Sequence, residues 1–231
     1  MLQEAWKAGR LRDEPGILCV ASPSVKGAEI YRHFVDVLKC KKFDFFIPDE
    51  SHDTCTNPDG LSDFYCSALD EFFSDADKNV YIRYFHTHMQ SMLNSEFSPV
   101  MGGSKSGSDT IAFTVSSNGE LYVDDTLRST NDPIFTPIGN VQHLMLSETI
   151  ASWQMQKYMA VNNQLPVACI DCVWKKVCGG RHIQRYSKAD NFNRETVFCP
   201  SVRKIMSYAA SYLIESGISE DIIMQNLEVN S

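Results

Sequence analysis

The chain has 231 residues, of which 43% are apolar and 22% charged, and a formal net charge of -8. That is ordinary globular composition, enough for one large domain or two small ones; basic residues scattered over an acidic chain disfavour a grip on nucleic acid, which needs a concentrated basic surface. No apolar run approaches the roughly 18 residues of a membrane helix, and the charged start MLQEAWKAGRLRDE lacks a signal peptide's apolar centre.

Residues 2–10 read as the end of a helix, broken by Pro15 and Gly16. GILCVA (16–21) is a short continuous apolar run of the kind found in strands buried on both faces. In SPSVKGAEIYRHFVDVLK, Ile30, Phe34 and Val37 share a helical face, with Ser22 or Ser24 as a cap. KFDFFIPD (42–49) follows as a second buried strand, stopped by Pro48. Strand, helix and strand at this spacing predict a βαβ unit with parallel strands, part of a larger parallel sheet.

ESHDTCTNPDG (50–60) reads as loop, LSDFYCSALDEFFSD (61–75) as an amphipathic helix, NVYIRYF (79–85) as a strand and HTHMQSML (86–93) as a short helix. MGGSKSGSD (101–109) marks the main boundary, dividing the chain into 1–98 and 99–231. Beyond it Ile111, Phe113 and Val115 alternate, Asn118-Gly119 is the favoured pair for a tight hairpin turn, and Leu121 and Val123 resume the alternation. Helices are expected over 147–162 and 201–216, the second ended by Gly217, with loop between them.

That loop holds half of the eight cysteines, in the pattern Cys169-x2-Cys172-x5-Cys178-x20-Cys199. A cytoplasmic, reducing setting is expected, in which such a group points to metal or redox chemistry rather than a disulfide frame. A C-x2-C pair can place two thiolates on one centre, and two further cysteines complete a four-ligand set. Spacing leaves structural zinc and an iron–sulfur centre equally open, because both accept four thiolates. Gly179 and Gly180 are expected to let the backbone approach a bulky centre where a Cβ would collide. Cys19, Cys40, Cys55 and Cys66 are separated by 20, 14 and 10 residues, so no two share a ligand loop, and they read as dispersed packing thiols.

Residues 169–199 resemble the SPASM domain found at the C-terminus of many radical SAM enzymes. The matching pieces are Cys169-x2-Cys172-x5-Cys178, Cys178-Gly179-Gly180, Arg185-Tyr186-Ser187, and Asn191-Phe192 leading to Phe198-Cys199. The resemblance implies that Cys169, Cys172, Cys178 and Cys199 bind one auxiliary [4Fe–4S] cluster. The family's next cysteine falls on His182, which reads either as a loop histidine bonded to backbone or as an odd imidazole ligand. A second cluster would need a cysteine five residues after the hairpin glycine, and Asp124 stands there.

The first 95 residues are similar to the end of the radical SAM barrel, with GILCVA and DFFIPD in its fifth and sixth βα units. The implied class is α/β: the C-terminal part of a partial (β/α) barrel, then a small SPASM/twitch α+β domain with a hairpin and cysteine-rich loops. PDESHD, NGELYVDDTLR and CGGRHIQRYS are similar to peptide-modifying members, maturases that cross-link side chains in ribosomal precursor peptides, cyclophane formers included. The implied partners are such a peptide and the N-terminal half of the enzyme, with neither nucleic acid nor membrane.

The family's C-x3-C-x2-C motif, which binds the cluster that cleaves S-adenosylmethionine, does not occur in this sequence. That chemistry is therefore expected in an N-terminal half, no catalytic residue is assigned here, and the chain by itself is expected to be inactive. With their edges unpaired and one face uncovered, the strands at 16–21 and 42–49 are expected to make the isolated chain aggregate or need that half. The alternative is a non-catalytic module holding structural zinc or an iron–sulfur cluster. Asp49, Glu50, His52 and Asp53 follow a barrel strand and could serve peptide binding or proton transfer, though a solvated loop is the simpler reading. His86-x-His88 reads as surface or groove histidines and Arg83 as a partner for a carboxylate.

Overall fold

The computed structural model describes residues 2–94, 112–180 and 183–228. The elements run α1 (Leu2–Lys7), β1 (Ile17–Val20), α2 (Gly27–Arg32), β2 (Lys42–Phe46), α3 (Gly60–Ser74), β3 (Tyr81–Ile82) and α4 (Arg83–Leu93). They continue as β4 (Thr114–Val115), β5 (Glu120–Tyr122), β6 (Gly139–Asn140), α5 (Leu146–Ala151), α6 (Trp153–Asn163), α7 (Lys175–Cys178), α8 (Cys199–Glu215) and α9 (Glu220–Glu228). Two compact units result: Met1–Pro48 with Asn57–Gly103 and Phe198–Ser231, and Asp49–Thr56 with Ser104–Val197. Among the described residues no helix is long and apolar enough to cross a membrane. The expected boundary at 101–109 and the first hairpin position, Ile111, lie outside the described residues.

In the first unit β1, β2 and β3 form a parallel sheet in that order, with Ile17 opposite Phe43 and Cys19 opposite Phe45. The expected βαβ unit is present. Its helix-covered face is aromatic: the Phe45 ring meets Phe43 at 5.5 Å and Phe64 at 5.1 Å, both edge-on. Tyr65 donates its hydroxyl to the Phe45 carbonyl at 3.1 Å, which gives the buried phenol an acceptor. The apolar run reads as buried on both faces, yet one face of β1 is uncovered, as expected of this strand in the chain by itself: Leu18 is 69% and Val20 60% exposed, so β1 is an edge strand with one open apolar face.

Asp44 explains a second difference. Residues 79–85 read as a strand, yet only Tyr81–Ile82 are extended and a helix begins at Arg83. The buried Asp44 carboxylate accepts the Tyr84 backbone N–H at 2.7 Å and the Arg83 Nε–H at 2.7 Å. It thus satisfies an N-terminal amide of α4 from a neighbouring strand, and that amide has no partner within its own helix. Arg83 lies over the Phe46 ring, 5.5 Å from its centroid.

The chain's last helices close this unit. The Ser201 hydroxyl of α8 donates to the carbonyls of Pro58 and Asp59 and accepts from Ser62 N–H, fastening α8 to the start of α3. Tyr208 and Tyr212 both donate to Asp70, and Tyr212 stacks on Phe73 at 4.3 Å. Gly217 ends the helix as expected, while α9 was not expected and anchors to α4 through Asn226 Nδ2 on the Met92 carbonyl.

In the second unit β4, β5 and β6 form an antiparallel sheet. The Asn118-Gly119 turn is as expected: Gly119 N–H donates to Ser116 O at 2.9 Å and Gly119 takes a φ of 83°. Leu121 and Val123 are buried, while Phe113 and Val115 face out. The helix expected over 147–162 is two, because Ser152 turns the chain extended and its hydroxyl accepts Met155 N–H to cap α6. Val123, Leu127, Ile134, Met155, Tyr158, Ile183, Tyr186 and Phe192 make the core.

Asp44→Ala removes two charge-assisted bonds and is expected to cost about 1.5–3 kcal/mol, read from the urea midpoint; a change below about 0.5 kcal/mol would contradict the capping role. The Lys41 ammonium and the amide donors of Asn79 hold the Asp77 carboxyl at about 2, against its ordinary 3.8. Because the folded value is the lower one, its contribution is present above the unfolded value and is lost as pH falls from 3.8 toward 2. Asp77→Asn should therefore lower stability at neutral pH and flatten part of the acid limb, its urea midpoint converging with wild type as pH falls toward 2; an unchanged midpoint at neutral pH would contradict this.

Candidate metal centre

The cysteine segment is a chain of tight turns rather than open loop. After α6, Cys169 N–H donates to Pro166 O, Cys172 N–H to Cys169 O, Lys175 N–H to Cys172 O and Cys178 N–H to Trp174 O. Each bond folds the backbone back within three or four residues, so Cys169, Cys172 and Cys178 lie on consecutive turns. Lys175 Nζ adds a bond to Ile170 O at 3.1 Å. Cys169, Cys172 and Cys178 are each partly buried. Val167, 84% exposed, and the exposed Ile170 and Val173 line the same turns with apolar surface.

The one-turn helix α7 ends at Cys178, where Gly179 and Gly180 take φ values of 63° and 58°. Among protein atoms a Cβ on Gly180 would meet nothing nearer than Leu165 at 3.6 Å, an ordinary contact. Glycine suits the left-handed backbone, which turns the chain after the third cysteine.

The excursion toward Cys199 is closed on itself. Val197 N–H donates to Gln184 O at 2.7 Å, and Ser187 pairs with Asn191, whose φ is 54°. Tyr186 and Phe192, rings 5.2 Å apart, pin it to the core. The segment 49–56 braces it from outside: His52 bonds through its ring to Glu195 O at 2.8 Å and through its N–H to Tyr186 O, while Asp53 accepts Lys188 N–H. His52 and Asp53 are thus tied into loop structure. Cys199 itself opens α8 in the first unit, with Pro200 in the helix's first turn, where its missing N–H is not needed.

Arg185 opens the matching Arg185-Tyr186-Ser187 piece. It is buried, and its guanidinium donates to Gln164 O at 2.7 Å and Val161 O at 2.6 Å at the end of α6. Burial pushes its pKa below the usual guanidinium range, and the thiols of Cys169 and Cys178 act the other way.

The remaining candidates fall into structural roles. His86 and His88 each bond Nδ1 to the carbonyl four residues back, at Ile82 and Tyr84. Asp124, where a second cluster would need a cysteine, accepts Thr126 N–H and the Tyr158 hydroxyl. Of the dispersed thiols Cys19 is on β1 and Cys66 on α3, with Cys40 and Cys55 in separate connections, and burial raises Cys40 and takes Cys66 to about 11. His182 lies outside the described residues.

Among the described residues no three Cys, His, Asp or Glu side chains are gathered as one metal ion would require. The donor chemistry suits a thiolate-bound centre in two respects. Three cysteines occupy consecutive turns, and among the described residues the buried Arg185 guanidinium keeps one Nε–H without an acceptor. Gly180→Ala should cost about 1–2 kcal/mol through backbone strain alone, and Gly180→Asn less; equal, negligible costs in urea titration would contradict the left-handed requirement.

No family model matches the sequence, and no curated protein matches it. Solved structures match. Native anSMEcpe with bound AdoMet superposes with a TM-score of 0.68 at 22% identity, covering 93% of this chain and 60% of that one. Native anSMEcpe with AdoMet and Cp18Cys peptide gives 0.68 at 22%, covering 92% and 60%. The complex with Kp18Cys peptide gives 0.66 at 23%, covering 92% and 59%. The chain thus spans about 60% of the length of those chains. At this identity the likeness is one of fold: the chain shares its fold with about 60% of the anSMEcpe chain.

Proposed function

We propose that this chain is the auxiliary-cluster part of a radical SAM maturase that modifies peptides. The observation that carries the reading is the shared fold with anSMEcpe, solved with AdoMet and with Cp18Cys and Kp18Cys peptides. The Cys169-x2-Cys172-x5-Cys178-x20-Cys199 pattern adds the means of binding a cluster. Cys169, Cys172, Cys178 and Cys199 would hold one [4Fe–4S] cluster, which when bound supplies a one-electron redox centre.

The chain's own residues then have definite tasks. The turns from Pro166 to Cys178 present three thiolates, and the left-handed Gly179-Gly180 pair redirects the chain behind them. The closed excursion 184–197, braced by His52 and Asp53, spans most of the 20 residues before the fourth thiolate. Four cysteine ligands leave no iron open, so electron transfer or ordering of the peptide is favoured over direct substrate ligation. The S-adenosylmethionine chemistry would come from a C-x3-C-x2-C segment, which this sequence lacks. The exposed Leu18 and Val20 on edge strand β1 support a sheet that continues into such a segment. A ribosomal precursor peptide, cross-linked as by the cyclophane-forming members, is the proposed substrate class. The proposed roles divide at residue 98, barrel part before and cluster part after.

Anaerobic reconstitution with iron and sulfide tests the reading. About four irons and four sulfides per chain are expected. Alanine at Cys169, Cys172, Cys178 or Cys199 should each reduce that content, whereas alanine at Cys66 or His182 should leave it intact. Stoichiometric zinc with no iron uptake would replace the reading with a structural zinc module.

A further inference from the structure

Arg185 is 2% exposed, and among the described residues it forms no ion pair with a carboxylate. An isolated charge in a dry interior costs several kcal/mol unless opposite charge lies near. Two donors are used on the Gln164 and Val161 carbonyls. Carbonyls at a helix C-terminus carry only about half a negative charge between them, so they offset part of that cost. Capping α6 accounts for the two terminal nitrogens and leaves Nε–H unexplained, since it is buried without an acceptor.

The surroundings show what the third donor is for. The side-chain stem passes Gly180, whose added Cβ would lie 3.8 Å from Arg185 Cδ, and Gly180 is two residues beyond Cys178. Burial lowers the guanidinium's pKa, and negative charge on Cys169 and Cys178 would raise it. Neutral thiols do not compensate a cation. Metal-bound thiolates do, and they stay deprotonated at neutral pH.

Resting on the cluster reading above, we propose that Arg185 is the fixed counter-charge of the metal–thiolate centre. Its two terminal nitrogens are locked on backbone carbonyls, and its Nε–H donates to a sulfur of the centre. Hydrogen bonds and charge around cluster sulfurs set reduction potential. One-electron reduction adds a negative charge, which a fixed cation favours, so Arg185 raises the potential. It is a positioning and tuning residue and not a catalytic one.

The full chain, reconstituted as wild type, Arg185→Gln and Arg185→Lys, tests this by iron content and by redox titration followed by electron paramagnetic resonance. Arg185→Gln should shift the reduction equilibrium about tenfold toward the oxidised cluster, a fall of about 59 mV for one electron; Arg185→Lys, which keeps the charge, should shift it less. Full iron content with an unchanged potential in Arg185→Gln overturns the proposal and leaves the cluster reading standing. Wild type that binds no iron overturns the cluster reading, and the proposal with it. Should the variants fail to fold, reduced wild type labelled with 15N-arginine decides. A 15N coupling to the cluster spin is expected, and its absence overturns the proposal.

Discussion

A positive charge removed from water governs the cysteine-bearing unit. Arg185 must satisfy five N–H donors in the interior, and the carbonyls at the end of α6 take two of its nitrogens. Those bonds tie the end of α6 to the segment after Cys178, where the arginine stem passes Gly180. Neighbouring Tyr186 then enters the apolar core, and the excursion closes between Gln184 and Val197. The unit spends little regular secondary structure on this. Its three short strands and capped helices serve as a frame for a segment whose geometry comes from consecutive turns and left-handed residues.

The first unit is organised by a negative charge in a similar position. Asp44 sits on the middle strand and ends the neighbouring strand by capping α4. The strand order leaves Leu18 and Val20 on an open edge while Phe43 and Phe45 are sealed against helices. An exposed apolar strand edge is a liability unless something covers it. In the proposed reading, the rest of the barrel does.

Local signals were legible in the sequence wherever the cause was local. Asn118-Gly119 specifies its turn from two residues, and the GILCVA and KFDFFIPD runs specify parallel strands about one helix apart. The Gly217 stop and the Cys-Gly-Gly corner also follow from backbone preference, with Gly179 and Gly180 both at left-handed φ. Non-local causes were not legible. Nothing in NVYIRYF announces that Asp44, some 40 residues earlier, accepts the Tyr84 amide. The break at Ser152 competes with a good helical pattern, and β6 is two residues long. The open face of β1 was expected from the barrel resemblance and not from the apolar run itself, which reads as buried on both faces. In the site, the cysteine spacing was readable, but Arg185 as a buried cation was not, because arginine in a polar loop normally reaches solvent.

The central claim is that the four cysteines exist to hold one iron–sulfur cluster. Mössbauer spectroscopy of the full chain reconstituted with 57Fe tests it most directly. All bound iron is predicted to appear as a single [4Fe–4S] species, lost when Cys178 is replaced by alanine. Mononuclear iron, or zinc occupying the thiolates with no cluster signal, would contradict it.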